Sequence, residues 1–123
     1  MHLWIGMSRL AQLPVALRQA LTERRALKVI AGLTNFDAAS VERISRAAGL
    51  GGADLIDVAC DPELVQLAAR VSGLPICVSA VDPELFPAAV AAGAALVEIG
   101  NYDAFYPLGR VFDAAEDRKS TRL

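Results

Sequence analysis

Residues 54–85, DLIDVACDPELVQLAARVSGLPICVSAVDPEL, decide the fold. Two apolar, β-branched runs, DLIDVA at 54–59 and PICVSA at 75–80, are each followed closely by the same tetrapeptide. The copies are Asp61-Pro62-Glu63-Leu64 and Asp82-Pro83-Glu84-Leu85, 21 residues apart. Aspartate caps a helix N-terminus well and proline fits the first helical position, so each copy marks a strand handing over to a helix. Between them, Leu64, Leu67, Ala68 and Val71 recur at the spacing of a buried helical stripe, with Glu63, Gln66 and Arg70 outside, and Ser72-Gly73 ends the helix. Strand, helix and strand within so short a span make a βαβ unit, which is right-handed and gives parallel strands.

The same alternation extends both ways. Upstream, residues 16–25 place Leu17, Ala20 and Leu21 on one stripe of a covering helix, and 27–32 (LKVIAG) form a strand. Asp37 then caps a helix carrying Val41, Ile44 and Ala48, which Gly49, Gly51 and Gly52 end through left-handed backbone. Downstream, Leu85, Ala88, Ala89 and Ala92 line a third connecting helix that stops at Gly93. Residues 95–100 (ALVEIG) form a fourth strand, followed by a loop at 101–110 and the start of another helix at 111–116. Four βα units fit a doubly wound sheet or a barrel. The doubly wound nucleotide fold calls for G-x-G-x-x-G after its first strand, where the sequence reads Gly32-Leu33-Thr34-Asn35-Phe36-Asp37. The fold class read here is therefore α/β, the N-terminal half of a (βα)8 TIM barrel, since 123 residues are about half of the roughly 250 that a whole barrel uses.

Composition narrows the function classes. With 54% hydrophobic and 21% charged residues the chain can bury enough apolar surface to fold. Its longest uncharged apolar stretch, residues 85–97, is interrupted by Pro87 and Gly93 and falls short of a membrane span of about 20 residues. A net charge of −2 without a basic cluster argues against a nucleic-acid partner. Cys60 and Cys77 lack C-x-x-C spacing and the one histidine is His2, so neither a zinc site nor a disulfide framework is read, and no motif names a cofactor. Both thiols are expected free, in a reducing compartment. Residues 1–15 read as an N-terminal extension without a basic signal-peptide start, with Met7 an alternative initiator. The domain occupies 16–116, and 117–123 (DRKSTRL) reads either as a solvated, frayed tail or as a non-native one.

Period-two alternation puts Lys28, Ile30 and Gly32 on one strand face, with Leu55, Asp57 and Ala59, Cys77 and Ser79, and Leu96, Glu98 and Gly100 on the matching faces. Facing inward, Lys28, Asp57 and Glu98 converge. These are the candidate catalytic residues, a carboxylate serving as general acid/base and Lys28 as a ligand-binding cation or Schiff-base amine. A structural ion pair is the competing account of the same three. Asn35, Ser79 and Asn101 are the candidate ligand-binding residues at the strand ends, where Thr34, Phe36, Tyr102, Asp103, Phe105 and Tyr106 add loop polarity and aromatic faces for a small-molecule ligand. The competing account has the asparagines as turn formers and Phe36, Phe105 and Tyr106 as caps on the core.

Through LKVIAGLTNFD (27–37), PICVSAVDPELF (75–86) and GAALVEIGNYDAFY (93–106), the sequence resembles the plastid and cyanobacterial hypothetical-reading-frame (Ycf-type) family. That family is uncharacterised and has an aldolase-type barrel fold. The likeness covers about residues 17–116, departing at Thr34, where an amide is expected, and at Tyr102, where phenylalanine is expected. It implies a parent barrel about twice this length, located in the cyanobacterial-type cytoplasm or the plastid stroma. By fold analogy, an enzymatic parent is an aldolase, lyase or isomerase of a small phosphorylated or carboxylated metabolite. The alternative is a non-catalytic barrel that binds a ligand or partner. Four units alone leave open strand edges, and self-association is expected through a face rich in Val29, Ile30, Ile56, Val58, Val78, Val97 and Ile99.

Overall fold

A computed structural model of the chain describes residues 9–100. The expectations placed on residues 1–8 and 101–123 lie outside the described residues. They include those on His2, Asn101, Tyr102, Asp103, Phe105 and Tyr106, on the helix from Val111 and on the tail.

The described chain opens with a 3-10 turn, Arg9–Gln12, and then runs α1 (Val15–Thr22), β1 (Lys28–Gly32), α2 (Ala38–Leu50), β2 (Leu55–Ala59), α3 (Pro62–Ser72) and β3 (Ile76–Ala80). A second 3-10 turn, Pro83–Leu85, leads into α4 (Phe86–Ala91) and β4 (Leu96–Ile99). Each strand starts one residue inside its expected start. All pairs are parallel, in the order β1-β2-β3-β4, so the sheet has no reversal of strand order. Lys28 pairs with Leu55 and Ile30 with Asp57. Asp57 pairs in turn with Cys77, and Ser79 with Glu98. A bulge between Ile30 and Gly32 ends strict alternation in β1, and Gly32 takes φ +115°, a conformation that suits glycine.

The helices α2, α3 and α4 share one face of the sheet. Beneath them Val41, Ala48, Ile56, Val58, Leu64, Val65, Ile76, Val78 and Phe86 form the main core. Val29 and Ile99 pack against it too, so most of the residues expected to drive self-association are already under helices. Ile30 and Val97 stay exposed. On the other face α1 lays Leu17 against Leu55 and Cys77, covering the lower end of the strands as expected.

Local chemistry sets the helix starts. Asp37 accepts from the Ala39 amide at 3.1 Å, Asp61 from Leu64 at 3.3 Å and Asp82 from Glu84 at 3.0 Å. The two DPEL copies nevertheless differ. The first opens an 11-residue helix, the second a three-residue 3-10 turn. Pro87 explains this, because it cannot donate the amide bond that a continuous helix needs there. The turn also rotates the buried stripe: Phe86 and Ala89 are inside, whereas Leu85 and Ala88, expected inside, are exposed. In α3, Leu64 and Ala68 are buried as expected, Val65 joins them, and Leu67 and Val71 are half-buried.

Of the three glycines expected to end α2 in left-handed backbone, only Gly52 does so, at φ +79°. Gly49 lies within α2, where a Cβ would come within 2.7 Å of the Ser72 carbonyl oxygen. Its bare backbone lets α2 approach the end of α3.

Asp61→Ala is expected to cost about 1 kcal/mol of stability, the usual loss for an N-cap aspartate. Asp82→Ala should cost clearly less, since it caps only a short turn. Urea midpoints of the two variants check this, and equal losses would contradict the assignment.

Candidate active site

The face opposite α2–α4 carries a polar cluster built from all four strands. Lys28 Nζ lies 2.5 Å from Glu98 Oε2 and 4.0 Å from Asp57 Oδ2. The Ser79 hydroxyl sits 2.8 Å from both Asp57 oxygens and donates to that carboxylate. Cys77 Sγ is 4.0 Å from Glu98 Oε2. Each residue arrives by strand parity, the even-numbered side chains of β1 and β4 facing the odd-numbered ones of β2 and β3.

Lys28 and Glu98 stand on the outermost strands. Three strand spacings are about 14 Å, so their tips meet because this face of the sheet is concave and both long side chains lean across β2 and β3. Lys28 starts low, opposite Leu55, and reaches upward to Glu98.

Burial separates the two carboxylates. Asp57 is 4% exposed, whereas the Glu98 side chain is half open. Removal from water pushes the Asp57 carboxyl up to about 6, against the lowering effect of the Ser79 hydrogen bond, and the nearby Glu98 charge adds to the rise. Lys28 is held above its ordinary value, chiefly by its hydrogen bond to Glu98. Burial pushes the Cys77 thiol up to about 12, so it is a protonated thiol at neutral pH. Cys60 is likewise buried, and both cysteines are free.

The ligand atoms of Asp57, Cys77 and Glu98 lie within 4.8 Å of one another, close enough to hold a metal ion. The Lys28 ammonium already supplies positive charge at Glu98, which disfavours a cation there.

Of the expected ligand-binding residues, Ser79 joins the cluster and Asn35 does not. Asn35 donates to the Ala31 carbonyl and the Ser40 hydroxyl, both at 3.1 Å, and accepts from the Asp37 amide at 3.2 Å. It therefore shapes the loop after β1. Sequence reading missed Leu33, Val81, Asp82 and Leu85, which with Phe36 and Ser79 surround a cavity at the C-terminal ends of the strands. Their positions just after β1 and β3 were the available signal, obscured by the capping role of Asp82.

The family described as a protein of unknown function (DUF561) matches residues 12–119, a span that takes in every residue of this cluster. An uncharacterized ycf23 protein of Cyanophora paradoxa is 48% identical over 90 residues, covering 72% of this chain and 37% of that protein. Those of Antithamnion sp. and Pyropia yezoensis are 41% and 40% identical, covering 76% and 77% of this chain and 34% and 35% of theirs. The chain thus spans a little over a third of the length of the relatives it matches, which are of algal plastid type. Among the described residues, no helix is long and apolar enough to cross a membrane.

Proposed function

The chain belongs to the DUF561 family, and from that premise we propose that its four βα units are the first half of a (βα)8 barrel whose concave interior performs acid–base chemistry on a small carbonyl metabolite. The barrel reading is supported by consecutive parallel strand order, by three connecting helices on one face, and by the concavity that brings Lys28 to Glu98. A doubly wound sheet would instead reverse its strand order and place its connecting helices on both faces, whereas here only α1, which precedes β1, lies opposite them.

One observation carries the chemical reading: Asp57, buried on the concave face with a carboxyl raised to about 6, beside an ammonium and a hydroxyl. A carboxylate poised near neutrality accepts and returns a proton readily. Asp57 removes a proton from the carbon next to a carbonyl. Lys28, held protonated, stabilises the negative charge that forms on the carbonyl oxygen. The raised value of Lys28 favours this cationic role over Schiff-base formation, which needs the free amine. Aldolase, lyase and isomerase reactions all share this step. We place the protein in the plastid stroma or its cyanobacterial counterpart, the cytoplasm.

Deuterium exchange tests the reading. The chain is incubated in D2O with small ketones and 2-oxo acids, and loss of the α C–H signal is followed by NMR. Exchange is expected for at least one compound, rising with pH through a midpoint near 6 and abolished in Asp57→Asn. Exchange that is absent, or undiminished in the variant, leaves the cluster a structural brace in a ligand-binding barrel. That alternative is favoured by the close commitment of Lys28 to Glu98.

A further inference from the structure

Above the cluster, at the C-terminal ends of β1 and β3, lies a cavity of about 140 Å³. Leu33, Phe36, Val81 and Leu85 give it apolar walls, and Ser79 and Asp82 are polar groups at its boundary. We propose that this cavity is a binding subsite for a six-membered ring, uncharged or bearing an ammonium group, and that it rejects anions.

Size, charge and blocked amides argue for this together. A cavity of about 150 Å³ lined by aliphatic and aromatic side chains holds benzene. Phe36 is 61% exposed and contributes an aromatic side chain to the lining. Among the described residues no lysine, arginine or histidine lines the cavity, whereas Asp82 does.

Helix N-termini at this end of a parallel sheet commonly bind phosphate through free amides. Here carboxylates already take those places. Asp37, Asp61 and Asp82 cap the starts of α2, α3 and the turn before α4. A phosphate or carboxylate in the cavity would meet the Asp82 carboxylate and, among the described residues, no cationic side chain in its lining. The cavity shares Ser79 with the Asp57 pair, so a ring held in it brings an attached carbonyl carbon toward Asp57. Only this last point rests on the acid–base reading.

The test uses the whole chain with benzylamine, phenol, benzoate and inorganic phosphate as probes, read by the methyl NMR signals of Leu33, Val81 and Leu85. Benzylamine and phenol are expected to shift these signals, benzylamine binding about tenfold more tightly than benzoate, and phosphate to shift none. Asp82→Asn, which keeps a capping side chain, should remove most of the benzylamine advantage while phenol still binds. Leu85→Trp, at a half-exposed position, should fill the cavity and end binding of both. Benzoate or phosphate binding as tightly as benzylamine would overturn the proposal. So would silence from every probe, or shifts that survive Leu85→Trp. Probe binding without deuterium exchange would remove the acid–base reading and keep this subsite.

Discussion

Replacing Asp57 with asparagine is expected to make the protein's stability lose most of its slope between pH 4 and pH 8, and to favour the variant by about 3 kcal/mol more at the upper end than at the lower. The sign follows from burial. The carboxyl rises from 3.8 to about 6 on folding, so between these values the folded protein holds a proton that the unfolded chain has released. Stability contributed by this group is complete below pH 3.8 and falls as pH rises through the window. Each tenfold change in proton affinity is worth roughly 1.4 kcal/mol, and the loss gathered over about two such decades persists above pH 6. Asparagine has no charge to bury and escapes the loss. Lys28 does not blur the result, since its raised value acts only in strongly alkaline solution. Urea unfolding of both proteins at intervals across the window measures the effect, and parallel curves would show that Asp57 ionises freely in the fold.

A loss of about 2–5 kcal/mol is expected for Ile56→Ala, among the largest of any single truncation. Ile56 is fully buried in the core beneath the helices, with Val29 and Ile76 beside it in register. Its removal takes away both transfer energy and packing that rigid neighbours cannot restore. The control is Ile30→Ala, the same chemical change on β1. Ile30 is 61% exposed, so its truncation should fall within about 0.5 kcal/mol. Unfolding free energies from urea titration decide the comparison. Equal losses would mean that the two faces of the sheet have been assigned the wrong way round.

How far the sequence could be read follows from how local each cause is. β2 and β3 were legible because alternation sorts their side chains and because Asp-Pro pairs announce the next element. The convergence of Lys28, Asp57 and Glu98 was legible for the same reason, since parity carries from strand to strand once the sheet is parallel. Parity does not reveal which partners pair, however. That Lys28 binds Glu98 closely and Asp57 only at 4.0 Å depends on sheet curvature and on residues 70 apart. The buried phase of α4 was hidden because Pro87 forces a 3-10 turn before it and displaces the stripe by one residue. Gly49 looked like a helix terminator, since the nearness of the Ser72 backbone is a tertiary fact with no trace in its neighbours. Asn35 reads equally as ligand contact and as turn former because an amide in a loop satisfies its own turn as readily as a bound molecule, and its bonds to Ala31, Ser40 and Asp37 show it engaged in the turn.

The Ser79 hydroxyl, equidistant from both oxygens of Asp57, has a consequence for the timing of events in the cluster. A hydroxyl both donates and accepts. It gives its hydrogen to the ionised carboxylate and, by rotating about one bond, accepts from the protonated acid. Arrival or departure of a proton at Asp57 therefore requires no heavy atom of this pair to move, and the reorganisation that accompanies charge transfer is confined to the swing of a single hydrogen.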